Sequence, residues 1–294
     1  MNSPLLDYVK AGPIKDRIKL RSLFRCMNTA GVIYFFLISF SVYALVILTA
    51  DDVYQDSLGH ATTIKVIITF ILINLLANFG LANYMKPYHR SMAARTEELP
   101  ESSWAYCSDC QQHQPARCHH CPLCEHCIAK RDHHCFFIGT CVGQTNQRYF
   151  TVFCFYAVWG LFLGYHVISA DLTENYYDIY SWDFYQYIPP VASVNWLLGN
   201  TDLYTVFEIS VMVGSLFTGL GTLGLLLWQL YLITYNLTTY EAQNPTYHSK
   251  SWAKLRVSDN FRAVFGEYWL LNFLFPFPHS NRFLSSISVT KMSV

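Results

Sequence analysis

Four apolar stretches dominate this 294-residue chain, each near or above the roughly 20 residues that cross a bilayer core. They run at about 30–50 (AGVIYFFLISFSVYALVILTA), 66–84 (VIITFILINLLANFGLANY), 149–170 (YFTVFCFYAVWGLFLGYHVISA) and 206–233 (VFEISVMVGSLFTGLGTLGLLLWQLYLI). Hydrocarbon offers no water to backbone N–H and C=O groups, so such stretches become helices that satisfy those groups internally. Buried core helices of a soluble protein are the alternative. Four segments almost free of charge weigh against it, as does a charged content of 14%, against about 25% for ordinary soluble domains.

Charge sets the expected orientation. Nineteen of the twenty Lys and Arg residues lie before the first stretch, between the second and third, or after the fourth. The loops 51–65 and 171–205 hold only Lys65. The positive-inside rule places both termini and the central loop in the cytosol, and 171–205 in the lumen. That loop is rich in Tyr and Trp, which suits the membrane interface. The sequon Asn236-Leu237-Thr238 then faces the cytosol and is expected to be unglycosylated. Residues 1–28 are polar and basic, and lead into a span-length stretch, so no cleavable signal peptide is expected. A net charge of zero gives no general attraction to nucleic acid.

The expected fold is therefore an α-helical polytopic membrane protein. It has four transmembrane helices, with a cytosolic cysteine-rich domain between helices 2 and 3. The expected divisions are a cytosolic N-terminus (1–29), helices 1 and 2 (30–85), the cysteine-rich domain (86–148), helices 3 and 4 with their lumenal loop (149–233), and a cytosolic C-terminal segment (234–294). Residues 86–105 read as a helix-and-linker approach to the domain. No internal repeat stands out.

Between Cys107 and Cys141 lie eight cysteines and six histidines, in the run CSDCQQHQPARCHHCPLCEHCIAKRDHHCFFIGTC. C-x2-C steps at Cys107/Cys110, Cys121/Cys124 and Cys124/Cys127 have the spacing of structural zinc ligands. One tetrahedral zinc takes four ligands and two take eight, which leaves a surplus. Spacing does not pair them; a site of Cys107, Cys110, Cys124 and Cys127 is also sterically sound. A zinc module used only for binding would explain the cluster. It would not explain Asp132-His133-His134-Cys135, where a cysteine sits beside a base and a carboxylate that can orient it. In an extended segment His133 and Cys135 face one side and His134 the other.

These residues resemble the cysteine-rich domain of the DHHC protein S-acyltransferases (palmitoyltransferases). The resemblance runs through Cys107, Cys110, Pro115, Arg117, His120, Cys121, Cys124 and Cys127, then Asp132 to Cys135, Cys141, Val142, Gly143, Asn146 and Phe150. Thr238-Thr239-Tyr240-Glu241 matches the family's T-T-x-E motif, and Asn260 to Gly266 resembles its C-terminal N-x3-V-F-G element. The resemblance implies interleaved zinc sites: Cys107, Cys110, His120 and Cys127 on one, and Cys121, Cys124, His134 and Cys141 on the other. It implies Cys135 as nucleophile, His133 as base and later acid, Asp132 as its orienter, Thr239 near Asp132, and Asn260 fixing the tail. The implied reaction moves a fatty acyl group from acyl-coenzyme A through an acyl-enzyme to client cysteines near the membrane. A C16 chain carries on the order of 10 kcal/mol of hydrophobic binding, which suits a cavity among the spans with Gly160 near its limit. Family members usually sit in Golgi or endoplasmic reticulum membranes.

This chain departs from the family where Phe136-Phe137 replaces the usual Pro-Trp, as in a DHHC-FF subgroup. Phe137 then supplies the apolar surface beside the thioester. Cys118, Cys26 and Cys154 read as bystanders. The alternative reading is a catalytically weak member that acts as a membrane scaffold or client-binding protein.

Overall fold

The computed structural model describes residues 14–55, 57–89, 105–178, 181–243 and 256–275. The expected linker at 86–105 falls mostly outside these residues, as do the first residues of the N-terminal segment and the end of the C-terminal one.

Among the described residues, four helices are long and apolar enough to cross a membrane: α1 (Ile14–Val53), α2 (Leu58–Tyr84), α3 (Gln147–Asn175) and α5 (Leu203–Thr234). The span-length part of α1 begins at Ser22. The helix therefore starts well ahead of the apolar stretch predicted at 30, because helical hydrogen bonding continues through the polar residues that precede it. Between α3 and α5 the chain forms a 3-10 helix (Trp182–Tyr187) and α4 (Pro189–Leu197). Ile188 precedes α4, whose first residue is proline, the residue pre-set for a helix start. After α5 come α6 (Thr239–Ala242), α7 (Val257–Phe265) and α8 (Trp269–Leu274).

The chain falls into two compact units: Met1–Val32, Ala77–Val152 and Trp228–Val294 form the first, and Ile33–Leu76 and Phe153–Leu227 the second. The second unit is built from helices around Val42, Leu45, Val46, Ile68, Ile168 and Ile209, all buried. Without aqueous hydrophobic drive, small residues let such helices approach closely. A Cβ on Gly164 would come within 2.2 Å of a Val42 methyl, so glycine is what permits that contact.

The first unit carries three small hairpins: β1–β2 (Ala105–Cys107, Gln112–Gln114), β3–β4 (His119–Cys121, His126–Ile128) and β5–β6 (His133–Cys135, Thr140–Val142). Each is antiparallel with a four-residue turn, closed by Cys107↔Gln112, Cys121↔His126 and Cys135↔Thr140. The hairpins start at residues 105, 119 and 133, so the motif recurs every 14 residues. Each turn ends on a left-handed residue: Gln111 (φ 52°), Glu125 (φ 57°) and Gly139 (φ 66°). The expectation of no internal repeat is thus corrected. Cys107, Cys121 and Cys135 occupy one register position, while the third turn has Ile138 where the others have Cys110 and Cys124. The repeat is carried by hairpin geometry and not by sequence identity.

Candidate functional site

The hairpin turns bring the cysteines and histidines into two sets, Cys107/Cys110/His120/Cys127 and Cys121/Cys124/His134/Cys141. In each set the ligand atoms all lie within 4.8 Å of one another. His120 Nδ1 stands 3.7 Å from the sulfur of Cys107 and 3.2 Å from that of Cys110. His134 Nδ1 stands 3.7, 3.3 and 3.7 Å from Cys121, Cys124 and Cys141. A tetrahedral zinc with ordinary Zn–S and Zn–N lengths requires sulfur-to-nitrogen separations of about 3.6 Å. Three thiols and one imidazole at this spacing fit such a metal. The middle hairpin β3–β4 gives His120 and Cys127 to one set and Cys121 to the other, so the sets share a backbone.

Cys135 belongs to neither set. It is buried, at the register position where the other hairpins place a ligand, but its turn has no second cysteine to close a metal pair. Within β5 the His134 ring points to the metal set, while His133 interacts with the Cys135 thiol. His133 Nδ1 donates to Asp132 Oδ2 at 2.9 Å, which leaves Nε2 for the thiol. Phe150, fully buried, meets the His133 ring edge-on at 5.3 Å.

Asp132 is buried and accepts three hydrogen bonds. Gln229 Nε2 donates to Oδ2 at 2.6 Å, and the Thr239 backbone N–H donates to Oδ1 at 2.5 Å. Gln147 Nε2 donates in turn to Gln229 Oε1 at 3.3 Å. Burial penalises the Asp132 carboxylate, but His133 and Thr239 outweigh it and hold the group well below its ordinary range. Burial likewise opposes charge on His133. The Asp132 carboxylate, then Cys135, outweighs that cost and raises the imidazole to about 10. The arrangement is a charged histidine between a carboxylate and a thiol.

Thr239 is placed by a capping box. Thr238 Oγ1 accepts from the Glu241 N–H at 3.3 Å, and the Thr238 N–H donates to Glu241 Oε2 at 2.8 Å. Glu241 is fully buried and held by Arg117, whose Nε and Nη2 donate to its two oxygens at 2.7 and 2.6 Å. The same guanidinium donates to the side chain and backbone oxygens of Asn236. Asn260 Nδ2 donates to the Thr234 carbonyl at 2.9 Å, tying α7 to the end of α5. Asn83 Nδ2 donates to the Ile138 carbonyl at 2.7 Å and holds the third turn.

Among the remaining expected residues, Phe137 is exposed at the tip of the third turn, whereas Phe136 is half-buried. Gly160 lies on α3 in the second unit, where an added Cβ would meet an Ile71 methyl at 3.0 Å. Cys118 is buried beside Cys107 and Cys127 but is outside their ligand set. Burial, then the neighbouring thiols, pushes it up to about 12. His126 stacks on Tyr88, His113 meets Tyr106 and His119 meets Tyr240. Cys26 is exposed and Cys154 buried. Sequence reasoning missed Gln229 and Gln147. A polar side chain within an apolar span was the available signal.

The DHHC palmitoyltransferase family model matches residues 101–246. The "Probable protein S-acyltransferase 14" of Arabidopsis thaliana is 31% identical over 169 residues, covering 56% of this chain and 50% of that protein. "Palmitoyltransferase ZDHHC20-B" of Danio rerio is 33% identical over 174 residues, covering 56% and 48%. "Palmitoyltransferase ZDHHC2" of Mus musculus is 31% identical over 183 residues, covering 56% and 42%. The chain spans about half the length of these curated relatives. The matched segment contains both metal sets, the Asp132–His133–Cys135 array and the Thr239 contact, and by it the chain belongs to the DHHC palmitoyltransferase family.

Proposed function

We propose that this protein is a protein S-acyltransferase that moves a long-chain acyl group from acyl-coenzyme A to cysteines of client proteins. The observation that carries this reading is the exclusion of Cys135 from both metal sets while His133 and Asp132 are aligned on it. Relatives named as S-acyltransferases and palmitoyltransferases support it.

Cys135 attacks the thioester carbonyl as a thiolate, stabilised by the His133 imidazolium. The carbon–sulfur bond to coenzyme A breaks, and the coenzyme leaves as a thiol after taking a proton from His133. A client cysteine then gives its proton to His133 and attacks the acyl-enzyme, releasing Cys135. Asp132 keeps the imidazole in one tautomer and offsets its charge throughout. Thr239, Gln229 and Asn260 keep that frame in register.

The two ligand sets are read as two structural zinc sites, which stiffen the loop that presents Cys135 and supply no acid or base. Both termini and the hairpins are read as cytosolic, in the Golgi or endoplasmic reticulum membrane. The engagement of Asn236 by Arg117 supports this side for the sequon. Phe137 contacts the thioester end of the acyl chain, and Gly160 limits its depth. The clients carry cysteines close to the bilayer, and Phe136-Phe137 marks the DHHC-FF subgroup.

Incubation of the purified protein with labelled palmitoyl-coenzyme A tests this. Hydroxylamine-sensitive label on the wild type that Cys135→Ser loses is expected. An unlabelled wild type favours a scaffold role instead.

A further inference from the structure

The turn that presents Cys135 lacks the metal clamp of the other two, since Ile138 stands where they have Cys110 and Cys124. Helix α1 supplies a restraint in its place. Phe24, Asn28 and Gly31 are spaced i, i+4 and i+7 and share one helix face. Along residues 22–30, Phe24 and Asn28 alone are not exposed. The Phe24 ring stacks on Phe136 at 6.0 Å with 12° between planes. Asn28 Oδ1 lies 3.1 Å from His134 Nε2. A Cβ on Gly31 would lie 2.9 Å from the Phe136 carbonyl oxygen. These contacts fall on the two neighbours of Cys135.

The Asn28 contact has a specific chemistry. His134 turns Nδ1 towards three sulfurs. As a ligand that nitrogen carries no proton, so Nε2 does, and it donates to the Asn28 oxygen. Holding the second nitrogen of a metal-bound imidazole fixes its tautomer and ring orientation. The contacts to Phe136 act on the residue that replaces the family's proline. Proline fixes its own φ covalently; here packing against Phe24 and Gly31 restrains the same position.

We propose that the N-terminal part of α1 is a positioning element for Cys135: Asn28 orients His134 from the side away from the metal, while Phe24 and Gly31 seat Phe136. This rests on reading Cys135 as the nucleophile, but the contacts also predict metal retention, which does not depend on catalysis.

The test uses the full-length, zinc-loaded protein. Asn28→Leu removes the acceptor and keeps the branching and the number of side-chain heavy atoms. One of the two zinc equivalents should then pass to a chromogenic chelator roughly tenfold faster. Asn28→Asp keeps an oxygen acceptor in the same shape and should restore slow release. Gly31→Ala and Phe24→Ala should keep both zinc equivalents yet slow acyl-enzyme formation several-fold and change the rate at which iodoacetamide alkylates Cys135. Wild-type zinc release in Asn28→Leu, or fast release in both Asn28 variants, overturns the role of Asn28. Wild-type alkylation and acylation in both Gly31→Ala and Phe24→Ala overturn the seating of Phe136. If the wild type takes no acyl label while Asn28→Leu still sheds zinc faster, the acyltransferase reading falls and the orientation of His134 by α1 stands.

Discussion

Gln229 donates to Asp132 Oδ2 at 2.6 Å, a shorter contact than the 2.9 Å at which His133 reaches the same oxygen. The carboxylate that orients the histidine is thus itself oriented from α5. Gln229→Leu leaves a buried carboxylate short of one donor. A hydrogen bond to a charged group contributes about 1.5–3 kcal/mol, so acyl-enzyme formation should fall about 10- to 100-fold. Zinc content should stay at two equivalents. Gln147→Leu removes only the neutral bond behind it and should cost less. Equal losses in the two variants would count against the chain Gln147–Gln229–Asp132.

The charge on His133 gives a pH prediction. Its imidazole is raised from the ordinary 6.5 to about 10, so the Asp132–His133 pair stabilises the fold fully below 6.5. That contribution is lost as pH rises through about 10. Acyl-enzyme formation by the wild type should therefore keep its imidazolium across the neutral and mildly alkaline range. Asp132→Asn removes the carboxylate that holds the proton on, and its rate profile should break closer to 6.5. Label incorporation followed against pH decides this. A break at the same pH in both proteins would show that Asp132 does not set the proton affinity of His133.

The spans were legible because hydropathy alone specifies them, and the helices at Gly59–Tyr84, Gln147–Asn175 and Leu203–Thr234 lie close to the stretches read from sequence. The start of α1 was not, since the residues between Ile14 and the apolar stretch are polar and carry no bilayer signal. The ligand sets and the Asp132-His133-Cys135 order were readable through family resemblance; spacing alone left the metal pairing open. The three hairpins escaped because strands of three residues are too short to show alternation. Their shared register also mixes residue types: Cys110 and Cys124 correspond to Ile138, and His113 to Cys127 and Cys141. Gln229 stood out as a polar side chain within a span, but nothing in a sequence says which turn of a span meets a buried carboxylate.

Arg117 and Glu241 form a forked ion pair whose carboxylate is buried, with side-chain exposures of 14% and 1%. Arg117→Met strands a buried carboxylate and should cost about 3–5 kcal/mol of stability. Arg117→Lys keeps the charge but not the fork and should recover part of that loss. Chemical denaturation in detergent measures both. Because Glu241 Oε2 also accepts from the Thr238 N–H, acyl-enzyme formation should fall in the same order. Stability lost without any loss of rate would separate this pair from the placement of Thr239.

The interleaving of the metal sets predicts coupled loss. Cys124 serves the second set, but His120 and Cys127 of the first lie on the hairpin whose turn contains it. Metal binding and folding of such a segment are linked. Cys124→Ser should lose more than one zinc equivalent and all acyl transfer, read by metal analysis of the purified protein. One equivalent retained, with activity intact, would refute the interleaved pairing.

Gly160 tests how the acyl chain is accommodated. An added Cβ meets the γ2 methyl of Ile71 3.0 Å away, a contact that a shift of a few tenths of an ångström relieves. Gly160→Ala should therefore fold and keep the wild-type chain preference. Gly160→Trp adds bulk that Ile71 alone cannot absorb. If the glycine limits acyl depth, the variant should turn from palmitoyl- towards shorter acyl-coenzyme A substrates, with label compared from dodecanoyl to stearoyl. If Gly160 serves only the approach of α2 and α3, the variant should lose stability and all substrates together. A change in chain preference at preserved zinc content therefore assigns the position to substrate length. A uniform loss assigns it to helix packing, and an unchanged, fully active variant removes both roles.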